Sequence, residues 1–220
     1  MQTLLSCSGG KVSALSLQAL RSQGSEPVGL LTTFSEPDDV VSHHHVSMHL
    51  IAAQAAAVGL ASYVVGLPEV CPNEVCEQRM RAALDAPELD GVDTIAFGDV
   101  FLEDVRVYRE LRLREAGVAS RFPLWGCDTT RLAERFVADG FRAVVCVVDT
   151  EQLDAEFVGR SLDEAFLDDL PPGVDPCGEN GEFHSFVTHG PIFHHPVEVE
   201  VGAVHTGGRF ARVDLMPTGP

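Results

Sequence analysis

The sequence predicts an α/β fold, with a parallel sheet covered on both faces by helices and a smaller C-terminal α+β part ending in a β-hairpin. Over the first half, short apolar runs of strand length alternate with stretches of helical periodicity. That pattern belongs to strands buried on both faces and joined by crossover helices. Near the end of the chain, two alternating runs flank Gly207-Gly208, as in an antiparallel hairpin.

In chain order, Thr3-Leu4-Leu5 reads as the end of a buried strand, and Ala14, Leu15, Leu17, Ala19 and Leu20 then carry helical spacing. Val28 to Thr33 is a second strand, and His49 to Val58 an alanine-rich helix. Ser62 to Val65 is a third strand, Asn73 to Leu84 a helix and Thr94 to Phe97 a fourth strand. A helix of mixed charge starts after Gly98-Asp99. The second part begins near Trp125, which divides the chain into 1–125 and 126–220. It holds a helix from Thr130 to Asp139, a strand from Ala143 to Val148, and a helix from Leu162 to Leu170 that stops at Pro171-Pro172-Gly173. A polar, glycine-rich loop runs from Gly173 to His184, and Val197 to Val204 with Arg209 to Leu215 closes the hairpin.

With 220 residues, 45% of them hydrophobic, the chain can bury a sizeable core. No uncharged apolar stretch reaches membrane-helix length, and the N-terminus carries no basic leader, so a cytoplasmic location is expected. The cysteines at positions 7, 71, 76, 127, 146 and 177 do not resemble a disulfide framework and are expected reduced. Cys71 and Cys76 lack the partner pair that zinc would need. A formal charge of −18, much of it between Glu151 and Asp169, argues against non-specific binding to nucleic acid or anionic membranes. The oligomeric state is left open, a homo-oligomer included.

Of 15 basic residues a single one is lysine, and it stands in Ser8-Gly9-Gly10-Lys11-Val12-Ser13, where an apolar strand turns into a helix. Unpaired N–H groups of a first helical turn, with glycines that let a ligand approach the backbone, make an anion site. The same serine and glycines also serve as ordinary capping residues. The spacing fits neither GxxxxGK[ST] nor GxGxxG. In a parallel sheet ligands gather at the carboxyl ends of the strands, which here carry Ser8 to Ser13, Thr32 to Ser35 and Gly98-Asp99.

Asp99 and Glu103 have the chemistry to hold magnesium, and Arg106 and Arg109 to clamp a carboxylate or phosphate. Spaced ion pairs on an ordinary helix give the same pattern. The 173–184 loop reads either as a binding loop or as a surface turn, and within it Cys177 and His184 admit a thiol nucleophile with a base. His43-His44-His45 and His194-His195 fit solvated or loop-lining roles better than zinc, because neighbouring side chains in a run diverge.

These segments occur together with Met48-His49 leading to Gln54-Ala55, Ala96-Phe97-Gly98-Asp99, Arg106 with Arg109-Glu110, Phe122-Pro123-Leu124-Trp125-Gly126, and Gly173 to His184. In this order and over nearly the whole chain, the set resembles the diphthine–ammonia ligase family of ATP pyrophosphatases. The resemblance implies an adenine-nucleotide α-hydrolase fold of HUP-like, PP-loop type, with ATP and Mg2+ as cofactors. It implies attack of a substrate carboxylate on the α-phosphorus, release of pyrophosphate, and displacement of AMP by ammonia, free or delivered by a partner. Ser8, Gly9, Gly10, Lys11 and Ser13 would cradle the phosphates, with Thr33 and Gly98 completing the nucleotide site. Asp99, Glu103, Arg106 and Arg109 would form the catalytic centre, Asp99 also holding the metal. Glu179, Asn180, Glu182 and His184 would line the substrate pocket. One position departs: the family carries Ser-Gly-Gly-x-Asp-Ser, and Val12 occupies the aspartate position. The alternative is therefore a catalytically degenerate nucleotide- or metabolite-binding protein on the same fold.

Overall fold

A computed structural model describes residues 2–218. Its larger sheet has a parallel centre in the order β5 (Ala61–Leu67), β2 (Gly29–Ser35), β1 (Thr3–Ser6), β6 (Thr94–Ala96), β7 (Ala119–Arg121). Two short strands, β3 (Val40–Val41) and β4 (Val46–Ser47), hang antiparallel from the tip of β2. The crossovers contain α1 (Lys11–Ser22), α2 (Met48–Ala57), α3 (Asn73–Leu84) and α4 (Glu103–Glu115).

The apolar runs form strands because each residue of a run has a face to bury. Leu5, Leu30 and Ala96 join one hydrophobic cluster with Leu15 and Leu17 of α1. Leu4, Leu31 and Ile95, one residue out of phase, join a second with Leu113 of α4 and Leu84 of α3. The alternation of side chains across a strand thus divides each run between two cores. Strand order reverses at β1, so the loops after β1 and β6 diverge there and leave a crevice.

The C-terminal part adds α5 (Thr129–Ala138), the short α6 (Glu164–Asp169) and a four-stranded antiparallel sheet in the order β10 (Val199–Gly207), β11 (Phe210–Pro217), β8 (Arg142–Asp149), β9 (Phe183–His189). Phe136, Phe166, Phe183 and Phe186 are fully buried in the same cluster as Leu5 and Leu17, so this sheet shares its core with α1. The main chain is joined as well, since the Val187 N–H donates to Gly9 O at 2.9 Å.

The parallel sheet and the terminal hairpin are as expected, and α3 has the expected bounds. Four strands go beyond the sequence reading: the β3–β4 pair, β7, and β9, which starts inside the stretch expected to be loop. The cysteine expectation needs a correction. Cys71 and Cys76 form a disulfide, while Cys7, Cys127, Cys146 and Cys177 are free. The turn that enters α3 folds the chain back and brings their Cα atoms to 5.8 Å, within bridging range.

Candidate functional site

The loop after β1 is built around Gly9. Its φ of +82° lies in the left-handed region, and a Cβ there would meet Ile51 Cδ1 at 2.9 Å and Phe186 Cδ2 at 3.1 Å. Gln54 of α2 is buried beneath and donates to both Gly9 O (3.0 Å) and Val187 O (2.7 Å). One amide thus ties the loop to both α2 and β9. Ser13 Oγ accepts from the Ser8 N–H at 3.2 Å and lies 3.4 Å from Ser8 Oγ. Gly10 is the N-cap of α1, with no side-chain cap and no acid in the first turn, so the first N–H groups stay open to a ligand.

A cleft of about 470 Å³ opens at these N–H groups. Ser8, Gly10 and Lys11 line it, with Thr33 from β2, Asp99 and Arg109 from the β6 side, and Glu179 and His184 from the 173–184 loop and β9. Lys11 is 5% exposed, its Nζ 4.7 Å from the centroid of the Phe183 ring, and no described carboxylate lies within 4.0 Å of it. A buried ammonium beside an aromatic face, with Glu179 acting on it only from beyond 4.0 Å, is incompletely compensated. An anion in the cleft would complete it. An adjoining cavity of about 610 Å³ between α3 and α4 shares Ser6, Thr33 and Arg109 with the cleft and has apolar walls at Met80, Leu84, Phe97 and Leu113.

Arg109 lies over the Phe97 ring at 4.3 Å, and its NH1 is 2.9 Å from Asp99 Oδ2. Burial raises the Asp99 carboxyl above its ordinary value, with Arg109 pulling the other way. Burial also pushes the Glu179 carboxyl up to about 7, and Asp175, Asp99 and Glu182 add to the effect while Lys11 opposes it. The His184 imidazole is held down at about 4 by burial, then by Lys11 and His43. His44, 4.7 Å from His184 between ring centroids, is also lowered well below the usual histidine range by burial and His184. Its Nδ1 donates to Ser185 O at 3.0 Å. Neutral imidazoles therefore face the cleft at neutral pH.

The remaining expected residues stand behind or beside the cleft. Gly9 and Ser13 shape the loop from within. Gly98 backs onto Val12, where a Cβ would lie 3.3 Å from Val12 Cγ2. Glu103 is exposed in the first turn of α4. Arg106 turns away to Glu110 (2.8 Å) and over the rings of Trp125 and Phe122. Asn180 and Glu182 brace the loop: Glu182, 2% exposed, accepts from the N–H groups of Asp175 and Asn180 and from Asn180 Nδ2. His43 and His44, carried by the β3–β4 turn, line the cleft. Two contributors lie outside the expected site. Gln54 belongs to a segment that carries the resemblance but takes no role from it, and Ser185, whose buried Oγ has no hydrogen-bond partner among the described residues, sits in β9, for which the sequence carries no clear strand signal.

A thiol nucleophile at Cys177 does not fit. The side chain is fully buried, Sγ donates to Thr129 O at 3.3 Å, and burial pushes the thiol up to about 12, so the thiolate is scarce at neutral pH.

Comparison with known proteins places this geometry in context. The family model described as the diphthamide synthase N-terminal domain matches residues 1–120, and the diphthamide synthase C-terminal domain matches 128–209. The chain is similar to diphthine–ammonia ligases of Rattus norvegicus (23% identical, covering 94% of this chain and 86% of that protein) and Homo sapiens (24%, with the same coverage). The diphthine–ammonia ligase of Bos taurus is 24% identical over 79% of this chain and 69% of its own length.

Proposed function

This chain belongs to the diphthamide synthase family, and on that premise we propose that it is an ATP-dependent, AMP-forming amide ligase using ammonia. The substrate carboxylate attacks the α-phosphorus and pyrophosphate leaves; ammonia then attacks the activated carbonyl carbon and AMP leaves. The carboxylate would be that of diphthine, by analogy with the relatives' names. In this reading residues 1–125 form the nucleotide side, 126–220 the substrate side, and the protein acts in the cytoplasm.

One observation carries the reading: the open N-terminus of α1 and Lys11, with no described carboxylate within 4.0 Å, face the same cleft as Asp99, Arg109, Glu179 and His184. The site's chemistry fits a polyphosphate. Lys11 and the first-turn N–H groups neutralise charge that shifts onto the leaving pyrophosphate, and they are fixed before reaction. Ser8 and Gly10 complete the cradle. Thr33 stands where cleft and adjoining cavity meet, so a nucleotide placed with its phosphates at Lys11 can send its base toward Phe97 and Met80. Arg109, held flat on Phe97, gives the reaction centre a positive wall. Magnesium fits less well. Among the described residues no group of three His, Cys, Asp or Glu is placed to hold a metal, and Asp99 is engaged by Arg109.

Pyrophosphate release tests the reading. With ATP, diphthine and ammonium chloride together, release should exceed that in any mixture lacking one component. ATP at about 100 times its dissociation constant should also stabilise the protein by about 2.7 kcal/mol in a thermal melt. Stabilisation without turnover on diphthine would favour a nucleotide-binding protein that has lost the reaction.

Val12 is the observation behind that second reading, because its side chain packs against Gly98 and offers the first turn no carboxylate. An aspartate there competes with phosphate for the same N–H groups, an effect of about 1 kcal/mol. Val12→Asp should thus weaken binding of metal-free ATP about fivefold, and titration calorimetry reads the change. If the valine has cost the site a metal contact, the same variant should bind magnesium-ATP more tightly. Equal affinities with and without magnesium would show a loop rebuilt around valine.

A further inference from the structure

The carboxylates at the cleft are not equivalent. Asp99 Oδ2 is 2.9 Å from Arg109. Glu182 is consumed by the three donors of its own loop. Asp175 accepts from the N–H groups of Cys177 and Glu179 and from the Thr129 hydroxyl at 2.6 Å. Glu179 differs: among the described residues its carboxylate accepts no hydrogen bond and has no cation within 4.0 Å. Its backbone is nevertheless pinned, its N–H donating to Asp175 Oδ1 at 3.3 Å. A carboxylate without a partner, carried on a braced loop and lining the cleft beside Lys11, is available to something that binds there.

We propose that Glu179 is the group that takes the proton from ammonia as it attacks the activated carboxyl carbon. This rests on the ligase reading above. The nitrogen–carbon bond forms, the bond from that carbon to the AMP oxygen breaks, AMP leaves as an anion, and the nitrogen's proton passes to the Glu179 carboxylate, which returns it to water. Before attack the same carboxylate can take a proton from ammonium and pass it to water, so that it is ionised again when the resulting ammonia attacks.

The surroundings suit that role. Charged groups face Glu179 from three directions: Lys11 from α1, Asp99 from the end of β6, and Asp175 and Glu182 from its own loop. Burial and the three acids raise the carboxyl to about 7, near the pH at which a base is most effective, while Lys11 keeps a fraction ionised. His184, another proton acceptor in the cleft, is held at about 4 and is a weaker base, and His44 beside it is lowered as well. Of the carboxylates, Asp99 is paired and Glu182 is occupied, and Glu179 is the one left in position.

Glu179→Gln separates the half-reactions. Diphthine-dependent exchange of radiolabelled pyrophosphate into ATP reports activation of the carboxylate and should change far less than amide formation. Amide formation from ammonium chloride should fall by about 10²-fold or more, the usual loss for a general base. Hydroxylamine is largely neutral at pH 7, needs no prior deprotonation and is the stronger nucleophile, so it should depend less on the base and recover part of the turnover, as the hydroxamate. Glu179→Asp should recover part of the ammonia rate. At fixed free ammonia, the wild-type rate should inflect near pH 7 and the Gln variant should not. A Gln variant that uses ammonia at the wild-type rate, keeps the inflection, or loses exchange and amide formation equally would overturn the assignment. If wild-type protein catalyses no exchange with diphthine, the ligase reading itself fails and the assignment falls with it.

Discussion

Gly178→Ala should lower stability by about 4 kcal/mol or more, well beyond the typical substitution. Two costs combine. The residue has φ +62°, where an alanine is strained by about 1–2 kcal/mol. Its Cβ would also lie 2.5 Å from the main-chain oxygen of Phe183, an atom held in β9 and unable to rotate away. Relief would require moving the start of β9 or undoing the turn that Asp175 and Glu182 brace. Gly181 provides the control, because its φ is +86° yet nothing lies within 4 Å of where a methyl group would stand. Gly181→Ala should therefore show only the strain, about 1–2 kcal/mol. In urea, with a slope of about 1–3 kcal/mol per molar, Gly178→Ala should shift the midpoint by well over about 1 M. Equal losses in the two variants would mean that the contact with Phe183 O contributes nothing and that the loop is not braced as described.

That contact also shows why part of the site is not legible in the sequence. The parallel sheet is legible because Leu4-Leu5, Leu30-Leu31 and Ile95-Ala96 each divide between two cores, and a doubly buried strand must be apolar throughout. Lys11 is legible because composition isolates it. The boundary between loop and β9 is not. Phe183 to His189 alternates poorly, and its strand identity comes from pairing with β8 and from the Gly9–Val187 hydrogen bond, both made by distant residues. The β3–β4 pair has two residues in each strand, too few for any periodicity, yet it delivers His43 and His44. The arginine cluster fails for a different reason. Residues three apart drift by about 60° around a helix of 3.6 residues per turn. Arg109 reaches the cleft, Arg106 packs on Trp125 and Phe122, and Arg112 meets Glu77 and Glu115. Clustering along the chain does not become clustering in space.

Lys11→Met should act with opposite signs on binding and on stability. Methionine preserves most of the stem's packing against Phe183 and removes the charge. A charge-assisted contact to phosphate contributes about 1.5–3 kcal/mol, so affinity for ATP should fall by roughly 10- to 100-fold. The free protein should lose little and gain up to about 1 kcal/mol, because relief from burying a cation that is 5% exposed, with no described carboxylate within 4.0 Å, outweighs the longer-range attraction to Glu179. Melting curves with and without ATP read both effects: a higher midpoint in the empty variant and a smaller rise on adding nucleotide. The charge change also reaches Glu179, since Lys11 is what draws that carboxyl downward. Removing it should move the pH dependence of any remaining ammonia-dependent activity to higher pH. A variant that melts earlier when empty and binds ATP as well as wild type would make Lys11 a structural residue, and the anion site would have to lie elsewhere. The expected pairing follows from the placement itself: a buried cation only partly compensated by its own protein costs stability in the free state and supplies affinity when an anion arrives.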